Sequence, residues 1–346
     1  MKRPDLERVL REQVKESGAP GAVALVRTAK GTWHGAVGFS NLSAKRTMRA
    51  SDRFSVGSVT KTFVATVVLQ LVGEHRLRLD DTVERWLPGL LPEGSKISIR
   101  RLLNHTSGVF NYLDDRTFEA RLERNPHLVV SPRAKIALAA SHSLNFRPGT
   151  SWSYSNTNYL VLRLIVEKAT NNTIAEELTR RIFKPLGLDH TAFESPGHQH
   201  PGSRMRGYNL SGIRPRDATL DTLGGLWAEG AIVSNTDDLA RFFGALLDGK
   251  LLHGDLLQAM QKTVPIDGRD ADGLGIFRVA VFCGHAWGHS GGVSGYLTQA
   301  LASRNGRHLV IVAINGAGDI GAGQAIRVAS EAAYCLYRVK VAELEV

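Results

Sequence analysis

Residues 54–72 read FSVGSVTKTFVATVVLQLV. From Ser58 to Gly73 the run has helical length and is apolar all round rather than along one stripe, the pattern of a helix buried on every side. It predicts a central helix opening at Gly57 and Ser58. Ser58 and Lys61 then share a face one turn apart, within reach of each other. First-turn amides lack intrahelical partners, and the positive helix end lowers the cost of negative charge on a serine oxygen. An amine in apolar surroundings holds its proton less tightly, and a neutral amine is a base. Taken alone, the pair reads first as a capping serine and a snorkelling lysine.

Outward from this helix the chain changes character twice. Residues 4–17 are periodic and charged, an amphipathic helix, and GAVALVRT and TWHGAVGFS around Gly31 alternate as a β-hairpin does. Residues 77 to 230 carry short helical patterns (LDDTVERWL, RAKIALAASH, TNYLVLRLIVEKA, TIAEELTRRIF) punctuated by Pro and Gly. Beyond helices near 235–262, the runs LGIFRVAVFC, YLTQALAS and HLVIVAIN, broken at Gly284 and at Asn305-Gly306, read as antiparallel strands, with a last helix over Gln324–Tyr337. The predicted class is α/β of the α+β kind. An antiparallel sheet domain from residues 1–76 and 231–346, flanked by terminal helices, faces a mostly helical domain, 77–230, across a cleft.

Composition narrows the function. With 346 residues, 43% hydrophobic and 22% charged, the chain is large enough for an ample core and is neither disordered nor fibrous. The longest apolar stretch, Phe63 to Val72, is interrupted by Thr66 and Gln70 and falls short of the ~20 residues of a membrane span. The start MKRPDLERVLREQVKES lacks the apolar core of a secretory signal, so the chain as given reads as cytoplasmic, although a mature fragment of an exported precursor would read alike. The net charge of +10 is scattered, with no run of five like charges, which argues against nucleic acid as a partner. Two cysteines, Cys283 and Cys335, and an isolated His198-Gln199-His200 provide no metal-ligand pattern.

Two further motifs compete with Ser58-x-x-Lys61. Gly316-Ala317-Gly318-Asp319-Ile320-Gly321 matches GxGxxG but lacks the following strand and acidic residue that dinucleotide binding needs, so it reads as a packing turn before the terminal helix. Gly288-His289-Ser290-Gly291-Gly292 matches GxSxG. Its triad order is wrong, because the only later histidine, His308, precedes the next acid, Asp319, and a strand follows where the nucleophile elbow requires a helix.

What lifts Ser58-Val59-Thr60-Lys61 is its company: Tyr154-Ser155-Asn156 in the loop SWSYSNTNY, and His289-Ser290-Gly291 at the start of a late strand. SxxK, YxN and [KH][ST]G in that order resemble the penicillin-recognising serine hydrolases, in particular the D-alanyl-D-alanine carboxypeptidases and class C β-lactamase-like proteins. ISIRRLLNHTSGV, FRPGTSWSYSNTNYLV, IFKPLGLDHTAF and WGHSGGVSGY extend the resemblance over nearly the whole chain.

The resemblance implies a β-lactamase/transpeptidase-like fold and an acyl-enzyme mechanism on amide or ester bonds. Ser58 would be the nucleophile, Lys61 and Tyr154 would move the proton, and Asn156 would orient Lys61 and the substrate amide. The amides of Ser58 and Gly292 would form the oxyanion hole, with His289 lining the cleft near Tyr154. Ser290, Gly291 and Trp227 would meet substrate, core packing being equally open for Trp227. No metal or organic cofactor is required. His105-Thr106-Ser107-Gly108 resembles a buried turn of the family. Cys283 and Cys335 resemble a pair found in an exported relative, two free thiols being equally open.

Two positions depart from the carboxypeptidases. Phe277 stands where an arginine would hold the substrate's terminal carboxylate, and Gly292 where a second threonine is common. Arg278, one residue on, would point away from the cleft unless a bulge intervenes. An esterase, amidase or transacylase acting on small-molecule or peptide substrates is therefore expected ahead of a D-alanyl-D-alanine carboxypeptidase. A non-catalytic binding module on the same fold is the alternative of another class.

Overall fold

A computed structural model describes residues 3–194, 204–221, 224–318 and 320–342. His198-Gln199-His200 lies outside them. The hairpin is present as β1 (Gly21–Thr28) and β2 (Gly31–Asn41), followed by the short β3 (Arg46–Thr47). Late in the chain come β4 (Val264–Pro265), β5 (Ala271–Asp272), β6 (Phe277–Val281), β7 (Gly284–Val293), β8 (Tyr296–Ala302) and β9 (Leu309–Ile314). They form one sheet in the order β3-β2-β1-β9-β8-β7-β6-β5-β4. β1 pairs antiparallel with both β2 and β9, so the N-terminal hairpin and the C-terminal meander close into one layer.

Period-two alternation separates the two faces. Ala22, Ala24 and Val26 pack with Val310, Val312 and Ile314 beneath α1 (Arg3–Ser17) and the C-terminal helix, whereas Val23 and Leu25 join Ile311 and Ala313 in the main core. That main core is built on α2 (Thr60–Gly73), whose residues from Thr60 to Leu69 are all buried. Between the sheet segments lie α3 (Pro132–Ala140) and α4 (Asn156–Thr170), and α5 (Thr236–Leu247) returns the chain to the sheet.

Some expectations are met, some resolved and others corrected. The last helix, α6, spans Ile320–Ala342 and so starts earlier than Gln324, taking in the end of the GxGxxG stretch. Gly316 belongs to a two-residue strand, and a Cβ there would meet Leu210 at 2.7 Å and Ala19 at 2.9 Å, as a packing turn requires. His289 falls in the middle of β7 rather than at the start of a strand. Cys283 and Cys335 are disulfide-bonded, not free, and tie the β6–β7 turn to α6. No helix among the described residues is long and apolar enough to cross a membrane.

Candidate active site

Ser58 sits in a short 3-10 turn, Gly57–Val59, immediately before α2, one step earlier than a first α-helical turn. Phe54–Ser55 pairs with Ile232–Ser234 on the way in, which fixes the approach to the turn. Gly57 has φ +54°, and a Cβ there would sit 2.9 Å from the Gly292 nitrogen; a Cβ on Gly291 would overlap the Val56 carbonyl and lie 3.1 Å from the Ser58 nitrogen. Only glycine at both positions lets β7 press against the serine turn, with the Gly292 nitrogen beside Gly57 and the Ser58 nitrogen beside Gly291.

Lys61 has no exposed surface. Its Nζ lies 2.9 Å from Ser58 Oγ, 2.8 Å from Asn156 Oδ1 and 2.8 Å from the Glu229 main-chain oxygen. Burial lowers its pKa to about 7, opposed by the charge of Glu229. A neutral amine has two N–H donors and one lone pair. Asn156 Oδ1 and the Glu229 carbonyl can only accept, so they take both donors, and the lone pair is left facing the Ser58 hydroxyl. The half-buried Tyr154 shares a side-chain hydrogen bond with Ser58 and lies with its ring 4.9 Å from Lys61 Nζ; burial pushes its phenol well above the usual range.

The orientation of Asn156 is itself dictated. Asp114 can only accept, and takes a hydrogen bond from Asn111 Nδ2 at 2.8 Å. Asn111 therefore turns Oδ1 toward α4, where it accepts from the Asn156 backbone at 3.1 Å and from Asn156 Nδ2 at 3.2 Å. That leaves Asn156 Oδ1 for Lys61. His105, in the family-like turn at φ +56°, accepts the Ser155 N–H on Nδ1 at 3.1 Å and packs 4.4 Å from the Tyr154 ring. It braces the tyrosine loop.

The remaining predicted residues divide. His289 is buried, 2% exposed, on the face of β7 that carries Trp287. Its Nδ1–H donates to the Ser290 carbonyl at 2.5 Å, and burial with the nearby Lys61 charge lowers its pKa to about 3, so it is neutral at ordinary pH. Phe277 lies tilted on its ring at 4.6 Å. Ser290 and Gly292 are exposed and, with Phe277, Leu297 and Ile326, line a cavity of about 410 Å3 against α6. Ser290 thus sits mid-strand, apart from any elbow. β6 pairs with β7 in regular register, Phe277 opposite Gly288 and Arg278 opposite Trp287, without a bulge. That register corrects the expectation for Arg278: opposite Trp287, it lies on the face of β7 that carries Trp287 and His289, whereas Phe277, opposite Gly288, lies on the Ser290 and Gly292 face, and Arg278 Nε has no hydrogen-bond partner among the described residues. Trp227 is half-buried, its Nε1 donating to the Val130 carbonyl and Arg163 lying over its ring, contacts of packing. Among the described residues no cluster of three His, Cys, Asp or Glu is disposed to hold a metal ion.

Glu229, Lys135, Tyr112, Asn111 and Asp272 escaped the motif reading. Periodicity could have flagged Lys135, which falls on the buried stripe of α3 with Ile136 and Ala139.

A hydroxyl against a buried amine and a tyrosine on the same hydroxyl, on this sheet and helix arrangement, are the features of a serine hydrolase. Residues 6–333 match the Beta-lactamase family, and the chain belongs to it. It is similar to penicillin-binding protein 4* of Bacillus subtilis, 28% identical over 314 residues, covering 86% of this chain and 68% of that one. It is also similar to esterase EstB of Burkholderia gladioli, 33% identical over 213 residues, 55% of this chain and 51% of that one. A solved D-stereospecific amidohydrolase from Streptomyces sp. superposes with a TM-score of 0.86 at 35% identity, covering 95% of this chain and 98% of the other. The chain spans from about a third to two thirds of the length of the curated relatives it matches.

Proposed function

We propose that the chain hydrolyses neutral amides and esters through an acyl-enzyme on Ser58, with acyl donors of D configuration as the preferred class, ahead of peptides ending in a free carboxylate. Ser58 Oγ attacks the carbonyl carbon while its proton passes to neutral Lys61. The developing oxyanion accepts from the Ser58 and Gly292 amides, donors worth about 3 kcal/mol each in comparable sites. Tyr154 relays the proton to the departing amine or alcohol, and water then enters by the reverse route.

The observation that carries the substrate reading is Phe277 tilted against His289, 4.6 Å between ring centroids, where a carboxylate-binding arginine would stand. A free carboxylate loses charge-assisted bonds there, each worth about 1.5 to 3 kcal/mol. The Streptomyces amidohydrolase, whose name specifies D-stereospecificity, supports the choice of configuration. Comparing a D-amino acid amide, its L enantiomer, a D-Ala-D-Ala peptide and that peptide's methyl ester tests it. The D-amide should exceed the L-amide, and the methyl ester the free acid, each by at least ~10-fold in kcat/KM. Preference for the free acid, abolished by Arg278→Ala, would make the chain a carboxypeptidase instead.

A further inference from the structure

We propose that Lys135 and Glu229 are positioning residues that aim Lys61 at Ser58 through the Glu229 main-chain carbonyl. This rests on Ser58 and Lys61 acting as nucleophile and base. The carbonyl takes one of the two N–H donors of Lys61, and so helps decide where the lone pair points. A loop carbonyl points only where its loop is held. This loop is pliant by sequence, with Gly224 and Gly225 at φ +81° and +84° and Gly230 beyond.

What holds it is a buried ion pair. The Glu229 side chain folds back to accept from its own loop at the Trp227 N–H, 3.2 Å, and from Tyr112 Oη at 2.9 Å. Lys135 Nζ, with no exposed surface, donates to Glu229 Oε1 at 3.2 Å, to Tyr112 Oη at 3.1 Å and to the Gly225 carbonyl. Lys135 thereby grips the beginning of the loop directly and its end through Glu229. A lysine and a glutamate buried together add little stability over apolar residues of the same size, so a task beyond stability is the better account of the pair.

Glu229 also acts at a distance. The groups around Lys61 are Ser58, Asn156, Tyr154, Tyr159, His105 and His289. Burial holds both histidines neutral and pushes both tyrosines up, and the buried Asp272 near those tyrosines is itself raised well above the carboxylate range. Glu229 remains as the anion that favours protonated Lys61.

The test measures kcat, KM and the pH profile for a p-nitrophenyl ester in wild type, Glu229→Gln, Lys135→Met and the double variant, with a fluorophosphonate adduct mapped in each. Each single change should lower kcat by ~10-fold or more with KM within ~2-fold, and the double should be no worse than the worse single. In Glu229→Gln the acid limb should move to lower pH, because the anion that keeps the proton on Lys61 is gone; a merely structural role would not move it. Unchanged kcat, an unmoved limb or losses that multiply, with the adduct still on Ser58, would overturn the pairing alone. An adduct elsewhere in wild type would overturn the nucleophile as well. Should the charge variants fail to fold, Tyr112→Phe removes one support of Glu229 while keeping both charges: a ~3-fold fall in kcat at constant KM is expected, and full kcat would overturn the proposal.

Discussion

Two lysines of this protein, Lys61 and Lys135, are wholly buried, and they have opposite fates. Lys135 touches a carboxylate, Glu229 Oε1, at 3.2 Å, which opposes by contact the burial that lowers its pKa. Lys61 meets only neutral oxygens at hydrogen-bond distance, and the same Glu229 reaches it through its main-chain carbonyl and by its field. Burial therefore carries Lys61 down to about 7. One anion, in contact with the first lysine and out of contact with the second, leaves the first a strut, and burial without such contact makes the second a base.

The contrast breaks first at the hydroxyl that Lys61 serves. Ser58→Ala should lower kcat/KM by ~10,000-fold or more while Ser290→Ala stays within a few-fold, measured by ester hydrolysis. Next is the asymmetry in stability. Lys135→Met leaves Glu229 buried without its cation and should cost about 3 to 5 kcal/mol in denaturant unfolding, whereas Lys61→Met removes a buried amine with no carboxylate in contact, leaves only neutral acceptors without a donor and should cost less, about 1 to 2 kcal/mol. Equal losses would erase the distinction between strut and base. Third, Lys61→Ala and Tyr154→Phe should each lower the acylation rate by ~100-fold or more, and together by little more than the worse of the two, because both move one proton. Multiplied losses would separate them. The ~10-fold preferences among substrates are the smallest of these effects.

What could be read in the sequence follows from how far apart the partners lie. Ser58 and Lys61 meet because three residues make a helical turn, and the hairpin and meander announce themselves through alternation and turn glycines. Tyr154, Asn156 and His289 became readable only through the family pattern, since nothing local brings them to Ser58. Asn111 and Glu229 carry no such signal. Glu229 in LWAEGA reads as a surface acid, and only the folding of residues 224–231 over α3 makes it a buried partner of Lys135. His289 was legible in identity and not in exposure, because the motif fixes its place on β7 while burial depends on Phe277 from the next strand. The register of β6 and β7 is regular and sets Arg278 opposite Trp287 on the His289 face, which counting along one strand could not show because a face is defined only by the pairing.

The most direct test of the central claim, that neutral Lys61 activates Ser58, is the pH dependence of acylation by an activated ester or fluorophosphonate, with the adduct located by mass spectrometry. Lys61 is the base only when deprotonated, and its pKa is depressed to about 7. The second-order rate should therefore rise through the acid range with a single proton dependence, bend near pH 7 and level above it, with the adduct on the Ser58 peptide. His289, lowered to about 3, should contribute no inflection near neutrality. A rate that is flat from about pH 5 to 9, or an adduct on Ser290, would contradict the account.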